Sequence, residues 1–355
     1  PGSHLDEKEF APETQVLNGS TYLQVLLNNP NHIGVHTDKS ESEPYFAGTQ
    51  QLEVEVIKVI SEDILGGVYE ETDGYVSSGG TEGNIQAVWM YRNLFNEQYQ
   101  LQEDYRDIRI VCSADTHYSL DKAANLLNVK IEKIPVDNDT RELDYDVLKQ
   151  RLYDLRAAGV RFLIINCNMM TTMYGSVDDI DQIAAIVDSF DFTEVRYHVD
   201  GAYGGFLYPF TCTDQSLSLR NPRISSFTLD AHKMLQAPYG TGIFISRKGL
   251  IKYATTDSAK YVPGAECTLV GSRSGANAIS IYKVLFRYGP YDWTERMQKL
   301  VRRARVLSEK LTELNYRHIF FEGSNIIAIH RDELSTEIAQ QFGLVADDFD
   351  NPTWY

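Results

Sequence analysis

The chain has 355 residues, 43% of them hydrophobic, and its 33 lysines and arginines against 50 aspartates and glutamates leave a net charge of −17. That length accommodates one large domain with a smaller companion, or two domains. The acidic balance argues against nucleic acid or an anionic membrane as partner, since both reward a basic face, and no stretch approaches the unbroken apolar length of a membrane helix.

In chain order, Pro1-Gly2-Ser3-His4 reads as a vector scar with no signal peptide expected after it, and residues 1–48 read as an N-terminal arm. Leu52, Val56, Val59 and Ile60 recur at helical spacing within Gln50–Leu65. Gly79-Gly80 leads into a second helix from about Glu82 to Phe95. Arg109–Cys112 reads as a buried strand, Ser119–Leu127 as a helix and Lys130–Pro135 as a strand. After the turn signal Asp137-Asn138-Asp139 come a helix over Asp144–Ala157 and the strand Phe162–Ile165. A helix over Ile180–Val187 and strands at Val195–Val199 and Ile224–Thr228 follow. This alternation predicts an α/β fold with a mostly parallel sheet covered on both faces. A long helical region broken near Gly289-Pro290 then runs to about Leu314, before a strand over Asn325–His330 and a short helix over Ser335–Phe342. These divide the chain into a large domain over 49–280 and a small α+β domain over 281–355, whose apolar ending at Trp354-Tyr355 reads as an interrupted element. Cys112, Cys167, Cys212 and Cys267 form no CxxC and fit free thiols in a reducing cytoplasm better than disulfides or metal ligands.

Four segments carry chemistry. Ser77-Ser78-Gly79-Gly80-Thr81-Glu82-Gly83-Asn84 stands directly before a helix, where glycines let the backbone approach an anion and the helix N-terminus offers free N–H groups. The hydroxyls of Ser78 and Thr81 add donors, although a glycine turn with a threonine cap fits the same residues. His117 follows the strand at Ile110, where α/β sheets present residues to ligands; its flat ring suits stacking on a flat cofactor, or capping the next helix. Asp200 ends a strand, and the small Ala202 beyond it leaves room for a ring close above the backbone. Lys233, in Asp230-Ala231-His232-Lys233, sits in a partly apolar setting that disfavours its charged form and suits covalent amine chemistry, where a lone lysine is otherwise a surface charge. An amine and a carboxylate at strand ends suit pyridoxal phosphate, which needs one to hold it and the other to keep its ring nitrogen protonated.

The segments SSGGTEGN, ADTHYSLDKAANLL, HVDGAYGGFLYPF, DAHKMLQAPYGTGIF and TLVGSRSGAN occur in this order over roughly residues 50–315. Together they resemble the group II pyridoxal-phosphate-dependent amino acid decarboxylases of fold type I, nearest to bacterial histidine decarboxylases and archaeal tyrosine/aspartate decarboxylases. The resemblance implies a fold type I large domain, pyridoxal 5'-phosphate as cofactor, no metal, and release of carbon dioxide and a primary amine from an L-amino acid. It makes Lys233 the amine that holds the cofactor and Asp200 the partner of its ring nitrogen. His117 and Ala202 sandwich the ring, while Gly80, Thr81 and Asp230 lie where the family binds phosphate. Some members carry asparagine at the position of Asp230, and a carboxylate beside phosphate needs a bridging water or a neighbouring donor. His232 contacts phosphate or the substrate carboxylate, and Thr171 lies near the cofactor aspartate. Tyr261 matches a loop tyrosine that protonates the α-carbon, with Tyr253 as the fallback. Arg273 anchors a carboxylate or makes a structural salt bridge. His32, His36 and Tyr45 are candidates for a side-chain pocket suited to an aromatic or histidine-like substrate. The resemblance further implies a homodimer with its active site at the interface, and a C-terminus that continues beyond this chain. The main rival is a carbon–carbon lyase resembling sphingosine-1-phosphate lyase; retention of Lys233, Asp200 and His117 argues against a non-catalytic scaffold.

Overall fold

The computed structural model describes residues 31–33, 47–256 and 266–355. Helix α1 (Ala47–Val59) closes in a π-helical turn over Ile60–Ile64 and buries Val54, Val56 and Ile57. After it come β2 (Thr72–Ser77), α2 (Gly80–Tyr99), β3 (Ile108–Ser113), α3 (Ser119–Leu127), β4 (Lys130–Ile134) and α4 (Tyr145–Ala157). The alternation continues through β5 (Phe162–Asn168), α5 (Ile180–Val187), β6 (Glu194–Gly201), β7 (Ile224–Leu229) and β8 (Gly242–Arg247). Helices α4 and α5 start where they do because Asp144 and Asp179 accept the N–H groups of Val147 and Gln182, satisfying donors the helix itself leaves open.

Strands β2 to β8 form one seven-stranded sheet in the order β2-β8-β7-β6-β5-β3-β4. Strands β7, β6, β5, β3 and β4 are parallel, and β8 is antiparallel to both its neighbours. Strand β2 therefore runs in the parallel direction, and the C-terminal ends of β2, β3, β5, β6 and β7 share one edge with the start of β8. Period-two burial splits the core across the sheet. Leu163 and Ile165 pack in one apolar cluster with Val111, Val199 and Phe227, while Phe162 and Ile164 pack in another with Tyr91, Ile110 and Phe244.

Neither β2 nor β8 was expected from the sequence pattern. Asp73 and Gly74 are poor strand formers. In the fold, Asp73 accepts the N–H of Gly249 and pairs with Lys248, and Gly74 is required because a Cβ there would stand 2.6 Å from the Phe244 carbonyl oxygen. Gly242 opens β8 opposite Ser77, and a Cβ on it would lie 2.6 Å from the Gly79 Cα.

Strand β9 (Ser272–Ser274) pairs antiparallel with β1 (Asn31–Ile33) and leads into α6 (Gly275–Arg287). Helix α7 (Pro290–Glu313) restarts after the expected break, with Pro290 at its first turn, where a missing N–H costs nothing. A hairpin of β10 (His318–Phe320) and β11 (Ile327–Ile329) and the short α8 (Thr336–Gln341) follow. The expected strand over Asn325–His330 is thus shorter, and its partner β10 was not anticipated. All four cysteines are free thiols, Cys112, Cys167 and Cys267 being buried. Among the described residues no helix is long and apolar enough to cross a membrane.

Candidate active site

The residues singled out from the sequence converge because they follow strands that end together. Asp200 is the penultimate residue of β6, Asp230 follows β7 directly, His117 lies in the turn after β3, and Gly79-Gly80 links β2 to α2. A Cβ on Gly80 would stand 3.0 Å from the Ala202 Cβ and 3.1 Å from Asp230 Oδ2; one on Gly79 would stand 3.3 Å from His232 Cε1. The glycine turn, Ala202 and the lysine segment thus face one another across a space too small for side chains.

Asp200 is buried and hydrogen-bonded on both oxygens. The Ala202 N–H donates to Oδ1 at 3.0 Å and Asn84 Nδ2 to Oδ2 at 2.8 Å. His117 Nδ1 lies 2.9 Å from Ser119 Oγ and takes the Ser119 N–H at 3.2 Å. Burial holds the His117 pKa down, with help from the Lys233 charge and against the carboxylates of Asp200 and Asp230. Its ring lies against the ring of Tyr118, with centroids 4.1 Å apart.

Lys233 Nζ sits 3.2 Å from Asp230 Oδ2, and His232 Nε2 is 3.6 Å from the same oxygen. His232 Nδ1 lies 2.7 Å from the Thr241 carbonyl and donates to it, which fixes the ring and leaves Nε2 toward Asp230. Burial raises the Asp230 carboxyl pKa against the pull of Lys233 and His232, and its Oδ1 has no hydrogen-bond partner. Helix α2 has 20 residues, and Gly79 at its N-cap makes no side-chain cap bond. Its first N–H groups are therefore available to an anion.

Other expected residues are engaged elsewhere. The Ser78 hydroxyl and N–H both donate to Glu82 Oε2, at 2.6 and 2.8 Å, so this hydroxyl closes the first turn of α2. Thr81 is the second residue of that helix. Thr171 pairs its hydroxyl with Ser176 Oγ at 2.7 Å, and no hydrogen bond joins it to Asp200 among the described residues. Of the two readings open for Arg273, the structural salt bridge is the one formed. Arg273 is buried against Glu53 of α1 in a two-pronged ion pair and donates to the Val76 carbonyl, so it ties α1 to β9 and has no charge to spare for a substrate carboxylate. Tyr253 accepts from Gln98 Nε2 at 3.2 Å, at the far end of α2 from Gly80. At 1.5 Å per residue that places it roughly 27 Å from the glycine turn, too far to protonate a substrate there. Tyr261, His36 and Tyr45 lie outside the described residues; His32 falls in β1, opposite Arg273 in the ladder.

Sequence reasoning passed over Asn84, His198, Asn168 and Asp178. Asn168, level with Asp200 on β5, donates its N–H and side-chain amide to Asp178 Oδ2 at 2.7 and 2.8 Å. Burial raises the Asp178 pKa to about 6 despite those donors. The available signal was a polar residue inside an apolar strand: His198 in β6 and Asn168 in β5.

These groups fit pyridoxal phosphate. Uncapped helix N–H groups and a glycine turn suit its phosphate, a carboxylate with fixed orientation suits its ring nitrogen, and an imidazole suits its ring face. A lysine amine held, among the described residues, by an ion pair suits its aldehyde, and the Asp230 oxygen without a partner there leaves a place for a further polar contact.

Comparison with known proteins agrees. The pyridoxal-dependent decarboxylase conserved domain matches residues 26–329. A tryptophan decarboxylase of Clostridium sporogenes is 44% identical over 358 residues, covering 100% of this chain and 84% of that protein. Among solved structures, a sphingosine-1-phosphate lyase of Burkholderia pseudomallei superposes with TM-score 0.73 at 19% identity over 100% of this chain and 86% of that one. An L-methionine decarboxylase of Streptomyces sp. 590 gives 0.72 at 18% identity over 100% and 91%. At such identities the structures speak for the fold, which is the fold type I expected. With the family model spanning most of its length, this chain belongs to the pyridoxal-dependent decarboxylases, carboxy-lyases that act on amino acids with pyridoxal phosphate as cofactor.

Proposed function

We propose that the enzyme decarboxylates an aromatic L-amino acid, tryptophan foremost, and that Lys233, Asp200, His117 and the Gly79-Gly80 turn are its working parts. The observation that carries the chemistry is their convergence at one sheet edge, with Lys233 Nζ at 3.2 Å from Asp230 and Asp200 held by one donor on each oxygen. The substrate rests on the 44% identity, over the whole chain, to a tryptophan decarboxylase. Likeness to a sphingosine-1-phosphate lyase at 19% identity supports the shared fold and not carbon–carbon cleavage.

Pyridoxal phosphate, when bound, supplies an aldehyde for amine exchange and a protonated ring that takes up the electron pair left by departing carbon dioxide. Lys233 holds the cofactor and gives way to the substrate amine. Asp200 keeps the ring nitrogen protonated, with its orientation set before any charge develops. The N–H groups of Gly80 and Thr81 at the start of α2 hold the phosphate. His117, whose charged form burial disfavours, would cover one ring face, and Ala202 would leave room at the other. Tyr261 enters as α-carbon proton donor on the resemblance alone. A homodimer is part of the same reading. Tyr118 and Tyr239, 58% and 91% exposed, flank His117 and His232 and suit cover by a second copy. The three buried free thiols suit a reducing cytoplasm.

The test is carbon dioxide release from each of the twenty L-amino acids with added cofactor, amines being identified by mass spectrometry. Tryptamine from tryptophan is expected as the main product. Lys233→Ala should abolish turnover and covalent retention of cofactor after borohydride reduction. Release confined to acidic amino acids would overturn the substrate; covalent retention by Lys233→Ala would overturn the site.

A further inference from the structure

Behind Asp200 a line of buried polar groups runs through the sheet. The Tyr91 hydroxyl is 2.5 Å from Ser226 Oγ, which is 2.7 Å from His198 Nδ1. His198 Nε2 lies 2.9 Å from Asn84 Oδ1, and Asn84 Nδ2 reaches Asp200 Oδ2 at 2.8 Å. The same Nδ2 donates to Ser119 Oγ at 2.8 Å, and that hydroxyl lies 2.9 Å from His117 Nδ1. Tyr91, Ser226, His198, Asn84 and Ser119 are each at most 1% exposed, so water cannot substitute for any of these partners.

The line has one consistent direction. Carboxylate oxygens accept, so Asn84 presents its NH2 group to Asp200 and its oxygen to His198. That oxygen also accepts, so His198 carries its proton on Nε2 and offers a bare Nδ1 to the Ser226 hydroxyl. Ser226 in turn accepts from Tyr91. On the other branch Ser119 Oγ accepts from Asn84, while the Ser119 backbone N–H donates to His117 Nδ1 and so puts the His117 proton on Nε2. Thr228 Oγ1, 3.3 Å from His198 Nε2, takes a second share of that proton. Asp200, through Asn84, thus sets the tautomer of His198. Burial lowers the His198 pKa to about 4, against the Asp200 charge and the Ser226 backbone, which keeps it neutral at working pH.

We propose that Asn84 and His198 are positioning residues: His198 locks the Asn84 amide with its NH2 group toward Asp200, and Asn84 thereby holds in one orientation the carboxylate that meets the cofactor ring nitrogen. The proposal rests on the reading of Asp200 given above. A half-turn of the Asn84 amide would set its oxygen against Asp200 Oδ2 and its NH2 group against the Nε2–H of His198. Both contacts are repulsive in a dry site. Without a donor at position 198 half of that penalty disappears, and the amide is free to turn.

The first test needs no variant. In cofactor-free protein labelled with ¹⁵N-histidine, His198 should show the Nε2–H tautomer and no titration between about pH 5.5 and 8. An Nδ1–H tautomer, or a titration in that range, would overturn the proposal. In loaded enzyme, Asn84→Ala and His198→Phe should each lower kcat about 10- to 100-fold with KM within about twofold. His198→Gln, which keeps a donor and an acceptor, should recover most of the loss. An unchanged kcat in Asn84→Ala and His198→Phe, alongside a large loss in Asp200→Asn, sinks the positioning roles alone. An unchanged kcat in Asp200→Asn sinks the reading of Asp200 and this proposal with it.

Discussion

Asp200 and Asp230 end neighbouring parallel strands, and both are buried, yet their surroundings are opposite. Asp200 has an N–H donor on each oxygen. Asp230 has one oxygen with no partner and the other against the Lys233 amine. A buried carboxylate with a donor on each oxygen keeps one geometry and has lone pairs left to accept one more; an oxygen with no partner marks a place where a group arrives or leaves. Lys233 would leave this pair on taking up the cofactor as proposed. Burial already pushes the Asp230 carboxyl toward its neutral form, and loss of the lysine charge pushes it further.

Substitutions at the two sites should separate them. Asp200→Ala is expected to lower kcat about 10²- to 10³-fold, as for other preorganised electrostatic groups, with amine release at saturating cofactor as the measurement. Asp230→Asn keeps the shape, removes the charge and frees the amine of its ion pair. Cofactor capture by Lys233, followed by stopped-flow absorbance at pH 7.5, should quicken by about threefold to tenfold with kcat little changed. A loss as large as that of Asp200→Ala would abolish the contrast. Asp178 sharpens it from a third position. Its pKa is raised to about 6 in the fold, so the folded state holds this proton more tightly than the unfolded chain. The resulting stabilisation is complete below the ordinary carboxyl pKa of about 4 and is lost as pH rises through about 6. Asp178→Asn should therefore raise Tm relative to wild type by roughly 1–3 °C at pH 8 and not at pH 4, as read by thermal melts.

Helix α5 and the strand ends were legible in the sequence because caps and periodicity are local. The gathering of Lys233, Asp200, His117 and Ala202 at one sheet edge was legible too, since each lies at or just beyond a strand's C-terminal end. What escaped was pairing at a distance. Asn84 and His198 stood inside motifs already singled out, but nothing local says that they meet 114 residues apart. Arg273 suffered the same way. Its partner Glu53 sits among the apolar positions of α1, where a carboxylate reads as surface until tertiary packing buries it. Strand β2 was hidden because Asp73 and Gly74 are chosen for what they touch and not for strand propensity.

Gly242 meets Gly79 backbone to backbone, at the last rung of the ladder between β8 and β2. The turn that receives the phosphate is therefore continuous with the sheet's cooperative unit. The backbone that frames the free N–H groups of α2 keeps its place as long as the ladder holds and moves only when the sheet edge itself opens.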